Sequence, residues 1–511
     1  MENILIGFSN VFSIQTFVVL VCGVLGGIVI GALPGLTSTM GVALLLPITY
    51  GMEATTGIVM LLGIYCGSVY GGSISAILLS TPGTPASAAT VLDGHKMALK
   101  GEGGRALTIS TISSTFGGLL SGLCLIFISP VLAKFALKFG ATEFFALAVF
   151  GLSIIVGVTN KSVAKGLSAG FFGLLLATVG IDDITGTVRF TFGLNKLTTG
   201  FQLIPTMIGL FGVSQVFLRL EEKIKKTEVI QKKFKLLPSK DDVKSIFKIA
   251  PWSSIVGAFI GAIPGTGGDI AAWTTYNIAK RTSKHPEKFG TGCAEGIAAP
   301  ESANNGTTGG TLIPLLTLGV PGDTSTAVLL GAFTLQGLQV GPLLFSQHAD
   351  LIYTIFVGFM VANILMFIFG MGLMRVYVKI LSVKEYFVVP TILVLCIVGS
   401  FAINKSPFDI LVMFAFGLLG FLLTKLEIPM SPIVLAFILG PMAEKNFRRA
   451  LMLSKGDYSV FVSRPLTVIL FLVAILSICS PLITKAGAKL GNKLKKKAEE
   501  KAKATDLPKE E

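Results

Sequence analysis

The sequence predicts an all-α polytopic membrane protein built from two inverted structural repeats. Three observations predict this fold class: the composition, the apolar stretches that recur along the chain, and motifs of the first half that return in the second. Of the 511 residues, 52% are hydrophobic and 14% are charged, whereas soluble domains carry about 25% charged residues. A soluble chain of this length could not bury so much apolar surface. The composition excludes an ordinary cytosolic enzyme, a disordered protein and a secreted disulfide scaffold.

Apolar stretches of membrane length predict about 12 membrane segments, with a final unpaired span. In the first half they lie near residues 12–33, 56–80, 106–133, 142–159, 163–180 and 200–218. In the second half they lie near residues 249–264, 350–374, 386–403, 408–424 and 430–443, and the unpaired span lies near 465–484. Glycine and proline interrupt several of them, so broken helices are expected.

Four short motifs recur in the same order in both halves. GALPG at 31–35 matches GAIPG at 261–265, an offset of 230 residues, and PGT at 82–84 matches PGD at 321–323, an offset of 239. NKS at 160–162 and FGLL at 172–175 both return 244 residues later. Offsets that grow only by small insertions indicate an internal duplication. The predicted division is a first repeat at 1–218, a basic cytoplasmic linker at 219–248, a second repeat at 249–450, a final span at 451–484 and a Lys-rich cytoplasmic tail at 485–511.

The positions of the basic residues predict that the repeats are inverted. The linker carries ten Lys or Arg and the tail nine Lys, and such clusters are typical of cytoplasmic loops rather than of nucleic-acid binding. Loop 93–105 is basic while its counterpart 332–346 is uncharged, and loop 280–288 is basic while its counterpart 47–57 carries only Glu53. Corresponding loops of opposite character belong on opposite sides of the membrane. The basic stretch at 445–455 does not fit this topology, because it falls on the outside.

The two Pro-Gly motifs predict re-entrant helical hairpins with tips at 34–35 and 264–265, entering from opposite faces. Each arm of about 15 residues would be about 23 Å long as a helix, which is short of a ~30 Å hydrocarbon core. In an inverted pair the segments 34–39 and 264–269 should meet near the middle of the membrane.

Five polar segments combine helix breakers with hydroxyls, amides or carboxylates: 34–39, 80–87, 264–269, 301–308 and 321–326. Non-helical backbone at membrane depth is tolerated only inside protein or beside a water-filled cavity. Free N–H groups at such breaks can hold a carboxylate, and free carbonyls can hold a cation. The alternative interpretation is close helix packing, with hydroxyls bonded to their own helix.

These segments supply the predicted binding residues. Those expected to bind substrate are Gly35, Thr37, Ser38, Thr39, Thr81, Gly83, Thr84, Ser87, Thr266, Gly267, Gly268, Asn304, Asn305 and Thr307. Those expected to bind a cation are Asp269, Glu301, Asn304 and Thr324, because hard cations prefer oxygen ligands and an ionisable group inside a membrane is rarely accidental.

Signatures of catalysis are weak. The chain has no Walker A sequence, its three histidines are scattered, and its G-x-S-x-G at 166–170 lies in an apolar helix. None of the six cysteines forms a CxxC pair, so small buried side chains are expected. We therefore expect no enzyme and no cofactor.

The most specific motifs are GALPGLTSTMGVALLLP, LLSTPGTPASAATVLDG, GAIPGTGGDIAAW and APESANNGTTGG with GVPGDTSTAVLLGA. At these motifs, and from about residue 23 to about residue 449, the chain resembles the large permease subunit of tripartite tricarboxylate transporters, the TctA family. The resemblance implies carboxylate uptake across the bacterial cytoplasmic (inner) membrane, driven by a sodium gradient or alternatively a proton gradient. It also implies two partners, a small TctB-like membrane subunit and a TctC-like extracytoplasmic binding protein.

The sequence therefore predicts a secondary-active permease for small carboxylates of the tricarboxylate or dicarboxylate class. It would be multi-pass, embedded in membrane lipid, with a cytoplasmic C-terminus. A passive anion channel is the first alternative and would need a continuous pore. An intramembrane enzyme is the second and would need a nucleophile–base pair.

Overall fold

A computed structural model describes residues 2–158, 162–221, 238–381 and 385–479 of the chain. The tail at 485–511 and most of the predicted linker lie outside the described residues. The described chain is almost entirely helical, and its one sheet is a hairpin of two-residue strands, β1 Gly180–Ile181 and β2 Val188–Arg189. The predicted all-α fold is confirmed.

The first half contains ten α-helices within the described ranges. They are α1 Glu2–Val11, α2 Ile14–Ala32, α3 Ser38–Leu45, α4 Ala54–Leu79, α5 Ala88–Leu99, α6 Gly103–Ala136, α7 Ala141–Val158, α8 Val163–Ala177, α9 Leu203–Met207 and α10 Ser214–Glu221. A π-helical turn, Ile208–Val213, joins α9 to α10, so that Leu203–Glu221 acts as one long segment. Short 3₁₀ turns follow α3 at Leu46–Gly51, precede α5 at Pro85–Ser87 and lie at Asn195–Leu197.

The second half has twelve α-helices in the part of the chain that the structure covers. They are α11 Lys240–Gly261, α12 Gly267–Thr282, α13 Glu295–Leu318, α14 Thr324–Leu335, α15 Leu344–Gln347, α16 Ala349–Gly372, α17 Met374–Ile380, α18 Glu385–Asn404, α19 Pro407–Lys425, α20 Met430–Leu453, α21 Val460–Ser463 and α22 Pro465–Cys479. A 3₁₀ turn at Pro286–Lys288 lies between α12 and α13.

Eight described helices are long and apolar enough to cross a membrane, which makes this a multi-pass membrane protein. They are fewer than the expected 12 or so segments, because several predicted spans, such as α8 and α22, are short apolar helices of 10–17 residues. Helix α13 is the opposite case: it has 24 residues and is buried over nearly its whole length, but its glycines, amides and hydroxyls hide it from a search for apolar stretches.

Two structural expectations were wrong. The predicted break at Glu301–Thr308 lies inside the continuous helix α13. Several of its polar groups bond back to their own helix: Asn305 Nδ2 donates to the Glu301 carbonyl at 3.1 Å, and the hydroxyl of Thr307 donates to the Asn304 carbonyl at 2.6 Å. The first arms of the two hairpins are also longer than expected, with 19 residues in α2 and 22 in α11.

The start of α11 explains the extra length of its arm. The Ser239 side chain accepts from the Asp242 N–H at 3.1 Å, and the Asp242 carboxylate accepts from the Ser239 N–H at 2.7 Å. This reciprocal capping fixes the helix start inside the predicted linker, before the apolar stretch begins.

Glycines allow the two hairpins to pack tightly on their neighbouring helices. A Cβ on Gly31 of α2 would lie 2.1 Å from the Ser68 carbonyl oxygen of α4, and one on Gly261 of α11 would lie 2.6 Å from the Thr307 carbonyl oxygen of α13. Gly261 follows Gly31 by 230 residues, and Thr307 follows Ser68 by 239. The corresponding glycines of the two halves therefore make corresponding helix contacts.

The helices form a central unit and two flanking arms. The central unit is built from α2–α6 of the first half and α11–α16 of the second, with α13 packed against α6, α11 and α12. One arm joins α7 and α8 to α20, and the other joins Leu203–Glu221 to α18 and α19. The last long helix of each half thus packs against the other half's arm.

Candidate functional site

The four remaining breaks surround one cavity of about 330 Å³ inside the helix bundle. Both arms also reach it, through the start of α20 and the segment that contains Gln215. The cavity is lined by Thr37, Ser38, Thr39, Tyr65, Val69, Thr84, Pro85, Ala86, Phe211, Gln215, Gly265, Thr266, Gly267, Gly268, Asp269, Asn304, Thr307, Asp323, Thr324, Ser325, Pro429, Met430, Ser431 and Leu435. Segments 34–39 and 264–269, which the sequence predicted would meet, both contribute to its wall.

On one side of the cavity, the first turns of α3 and α14 are joined by hydroxyl groups. Thr39 Oγ1 lies 2.8 Å from Thr324 Oγ1 and 3.0 Å from Ser325 Oγ, and Ser38 Oγ lies 3.1 Å from Ser325 Oγ. Each helix has a side-chain cap: Thr37 accepts from the Met40 N–H at 3.3 Å, and Asp323 accepts from the Thr326 N–H at 2.7 Å. These bonds connect the first half of the chain to the second.

Tyr65 of α4 adds a further connection between the halves. Its hydroxyl donates to Asp323 Oδ2 at 2.8 Å and lies 2.9 Å from Thr311 Oγ1 of α13. Tyr65 is fully buried. Asp323 therefore acts as a helix cap that also accepts from Tyr65, and a buried carboxylate needs several such donors.

Two other residues of the cavity lining have buried polar atoms without partners in the described protein. Among the residues that the structure describes, Asn304 Nδ2 and Thr84 Oγ1 are buried and have no hydrogen-bond partner. Their residues are 2% and 5% exposed, and both line the cavity. A buried donor with no acceptor is costly, so these groups are candidates for a ligand.

The structure separates the predicted cation ligands into two places. Asp269, Asn304 and Thr324 line the cavity. Glu301 does not; its carboxylate is 0% exposed and accepts from Thr90 Oγ1 at 2.5 Å and from Ser114 Oγ at 2.9 Å. Within the described ranges, no group of three or more His, Cys, Asp and Glu side chains could hold a metal ion.

The predicted substrate residues divide in the same way. Those that line the cavity are Thr37, Ser38, Thr39, Thr84, Thr266, Gly267, Gly268, Asn304 and Thr307. Those whose contacts lie elsewhere are Gly35, Thr81, Gly83, Ser87 and Asn305. Gly83, for example, donates its N–H to the Gly72 carbonyl at 3.2 Å, and a Cβ there would lie 2.2 Å from the Gly31 carbonyl oxygen.

Sequence reasoning missed several lining residues. Tyr65 follows from the repeat, because adding the offset of 239 to its number gives Asn304. Gln215 is a single amide in an apolar span, and Arg219, one turn later, donates from its guanidinium to the Pro34 carbonyl at the hairpin tip. The start of α20 at Pro429–Ser431 carried no signal beyond its proline.

Outside the membrane segments, an ion cluster accounts for part of the unexplained basic stretch at 445–455. Arg448 lies 2.5 Å from Asp182 Oδ2, and Arg189 pairs with both Asp182 and Glu444, at 3.3 and 2.7 Å. The Thr185 N–H, followed by the Arg448 guanidinium and the Ile184 N–H, holds the pKa of the Asp182 carboxyl well below its usual range. The hairpin β1–β2 therefore neutralises charge at the end of α20.

The fold and the cavity define a class of protein: a helical multi-pass membrane protein with a polar cavity between helix breaks from both halves. A family model described as the Tripartite tricarboxylate transporter TctA family matches residues 17–435. The chain belongs to this family, and it is therefore a membrane component of a tripartite tricarboxylate transporter.

Two relatives from Agrobacterium vitis are similar to the chain. One, described as an uncharacterized 52.8 kDa protein in the TAR-I ttuC' 3'region, is 39% identical over 488 residues, which cover 96% of this chain and 97% of the relative. The other, an uncharacterized protein in the TAR-II ttuC' 3'region, is 37% identical over 210 residues, or 41% of this chain and 87% of the relative. No solved structure matches the chain.

Proposed function

We propose that this chain is the large permease subunit that takes up small carboxylates, of the tricarboxylate or dicarboxylate class, across the bacterial cytoplasmic membrane. One observation carries the proposal: a polar cavity between the two halves holds buried polar atoms, Asn304 Nδ2 and Thr84 Oγ1, without partners in the described protein. Such a site suits a small polar ligand that supplies the missing partners.

The chemistry of the lining favours a carboxylate. Among the described residues, no Lys or Arg lines the cavity, so an anion would rely on amide and hydroxyl donors and on the N-terminus of α12. Free backbone N–H groups and the helix dipole at such an end favour negative charge. Asp269 in the first turn of α12 carries the same charge as the substrate, and this repulsion has to be offset.

A coupling cation would offset that repulsion. Asp269, Asn304 and Thr324 present oxygen atoms in the same cavity, and oxygen is the ligand that hard cations such as sodium prefer. Movement of the cation down its gradient would then drive uptake of the carboxylate. A proton on Asp269 is the alternative source of the same neutralisation.

The proposal includes two partner subunits and a topology. Family membership supports a small TctB-like membrane subunit and a TctC-like binding protein that delivers substrate from outside. The basic linker and tail support a cytoplasmic location for both of these segments and for the C-terminus. The inverted relation of the repeats is part of this proposal.

Reconstitution tests the proposed function. The chain would be placed in proteoliposomes with its two partner subunits, and uptake of labelled citrate and succinate would be measured under a sodium gradient, a proton gradient and no gradient. We expect accumulation only with a cation gradient. Equal flux without any gradient would contradict the proposal in favour of a channel, and absence of citrate and succinate uptake in all conditions would contradict the carboxylate class.

A further inference from the structure

The repeat offsets divide the cavity into two corresponding halves. At an offset of 230 residues, Ser38 corresponds to Gly268 and Thr39 to Asp269. Adding 239 turns the 84–86 segment into 323–325, and Tyr65 into Asn304. We call Ser38, Thr39, Tyr65 and 323–325 the hydroxyl half, and 84–86, 267–269 and Asn304 the glycine half.

The hydroxyl half is closed by its own hydrogen bonds. Ser38 and Thr39 bond to hydroxyls of the 323–325 segment at 2.8–3.1 Å. Tyr65 donates to Asp323 at 2.8 Å. Polar groups that already bond to one another gain little from a ligand, because binding would exchange one hydrogen bond for another.

The glycine half lacks the groups that would make the same bonds. Where the hydroxyl half pairs Ser38 with Ser325, this half places Gly268 near Ala86: a Cβ on Gly268 would lie 3.3 Å from Ala86 Cβ and 2.6 Å from Asn304 Oδ1. No hydroxyl is present at either position. A side chain at position 268 would therefore crowd the Asn304 amide beside the start of α12.

The polar pair of the glycine half is also unbonded. Asn304 and Thr84 occupy the positions that Tyr65 and Asp323 occupy in the hydroxyl half, where the two residues bond directly. In the described protein, Asn304 Nδ2 and Thr84 Oγ1 have no partner, although both are more than nine-tenths buried. One pair is thus joined, whereas the corresponding pair, on two residues that line the same cavity, has two donors without partners in the described protein.

We propose that one carboxylate of the transported anion binds in the glycine half, between the start of α12, Asn304 Nδ2 and Thr84 Oγ1, while the hydroxyl half holds the two halves of the chain together. This assignment rests on the proposed function. The absence of side chains at Gly267 and Gly268 lets the carboxylate approach the free backbone N–H groups closely. Asp269, which lines the same cavity, would hold the coupling cation of the proposed function.

Paired substitutions test the assignment on the full-length protein in detergent, with binding of labelled citrate and labelled succinate as the readouts. Asn304→Ala removes a donor without adding atoms and should weaken binding of both by roughly tenfold or more. Gly268→Ser would place its Cβ 2.6 Å from Asn304 Oδ1 and so displace that amide, and it should weaken binding at least as much. Ser38→Ala loses a bond but no ligand contact, so its effect should be at least about fivefold smaller than that of Asn304→Ala.

A matched control uses another buried asparagine. Asn363 of α16 is 1% exposed, and its Oδ1 has no partner in the described chain, but it does not line the cavity. Asn363→Ala should keep citrate affinity unchanged. If Gly268→Ser does not fold, the comparison of Asn304→Ala with Ser38→Ala and Asn363→Ala alone tests the assignment.

Two kinds of failure are distinguishable. Wild-type protein that binds neither citrate nor succinate overturns the proposed function. Wild-type protein that binds citrate, together with an Asn304→Ala variant of normal affinity or a Ser38→Ala loss as large as that of Asn304→Ala, overturns only the assignment to the glycine half.

Discussion

At the scale of single residues, Glu301 shows how a membrane protein holds a carboxyl group out of water. Its two oxygens accept from Thr90 on α5 and Ser114 on α6, so one side chain joins three helices. One turn further along α13, Asn304 reaches the cavity. The predicted role of Glu301 as a cation ligand stays a prediction. The hydrogen bonds from Thr90 and Ser114 also define a structural role, in which Glu301 holds three helices together.

Glu301→Ala should lower the free energy of unfolding by about 1–3 kcal/mol, because it leaves the Thr90 and Ser114 hydroxyls buried without their acceptor. Glu301→Gln keeps one acceptor oxygen and should cost less. Thermal unfolding in detergent measures both. Glu287→Ala, at an exposed side chain, should change stability by less than about 0.5 kcal/mol; a Glu301→Ala protein as stable as that control would contradict the structural role.

The same variants examine cation binding. If Glu301 ligates the coupling ion, Glu301→Gln should abolish the stabilisation that sodium gives to the wild-type protein. If the carboxyl is only structural, sodium should stabilise Glu301→Gln as much as the wild type.

Asp182 predicts a dependence of local stability on pH. Because its pKa is depressed in the folded protein, its contribution is present above the unfolded pKa of about 3.9 and is lost as the pH falls through the folded value. The hairpin β1–β2 of the wild type should therefore become more sensitive to an acid-active protease, such as pepsin, as the pH falls from 4 toward 2, roughly the range below that unfolded value. Asp182→Asn should already be sensitive at the upper end of this range.

The neighbouring residue supplies the control. Asp183 is exposed, and Asp183→Asn should keep the wild-type pH profile. A wild-type profile in Asp182→Asn as well would show that the ion cluster does not hold the hairpin.

At the scale of helices, tight packing of the hairpins depends on which face each glycine occupies. In α2, Gly31 meets the Ser68 carbonyl, whereas Gly26 has only the Leu45 Cδ1 atom nearby, at 3.8 Å from an added Cβ. The two positions lie in the same helix and differ in what they face.

Gly31→Ala should destabilise the protein by about 1–3 kcal/mol, because its Cβ would force α2 and α4 apart. Gly26→Ala should be neutral or stabilise by up to about 1 kcal/mol, since alanine favours helix. The midpoint of thermal unfolding compares the two, and equal midpoints would contradict the importance of the α2–α4 contact.

Helix breaks were predictable from the sequence only where the residues that interrupt a helix, such as a Pro-Gly pair, cannot continue it. At 34–39 and 264–269 the Pro-Gly pair ends one helix, and Gly35 and Gly265 take positive φ values of 79° and 80°, which few other residues tolerate. At Glu301–Thr308 the glycine, Gly306, packs closely against α11, and the Thr307 and Thr308 hydroxyls bond back to their own helix. Composition alone cannot separate these two uses.

The site was partly predictable for a related reason. The duplication indicated that segments 34–39 and 264–269 would meet, and the cavity brings them together. The Tyr65–Asp323 bond and the separation of Glu301 from the cavity depend on which face of α4 and α13 turns inward. Both helices are buried almost all round, so no polar face in the sequence reveals that orientation.

At the scale of the whole molecule, the topology can be measured directly. In a background without the six native cysteines, Glu53→Cys should react with an impermeant thiol reagent added outside intact cells. Lys244→Cys, at an exposed position near the start of α11, should react only after the cells are opened. Labelling of position 244 from outside would contradict the inverted arrangement, because the basic linker would then not be cytoplasmic.

The last long helix of each half packs in the arm of the other half, and this affects how the protein is made. Helix α8 ends at Ala177, but its partner α20 begins only at Met430. At about 5–20 residues per second, the ribosome needs roughly 10–50 s to cover that interval. During that time α7 and α8 are in the membrane without α20. The face of α8 that contains Gly173 then has only lipid or an insertion factor to cover it. The protein's biogenesis therefore requires that α7 and α8 stay inserted and do not aggregate in the bilayer until translation of the second half is nearly complete.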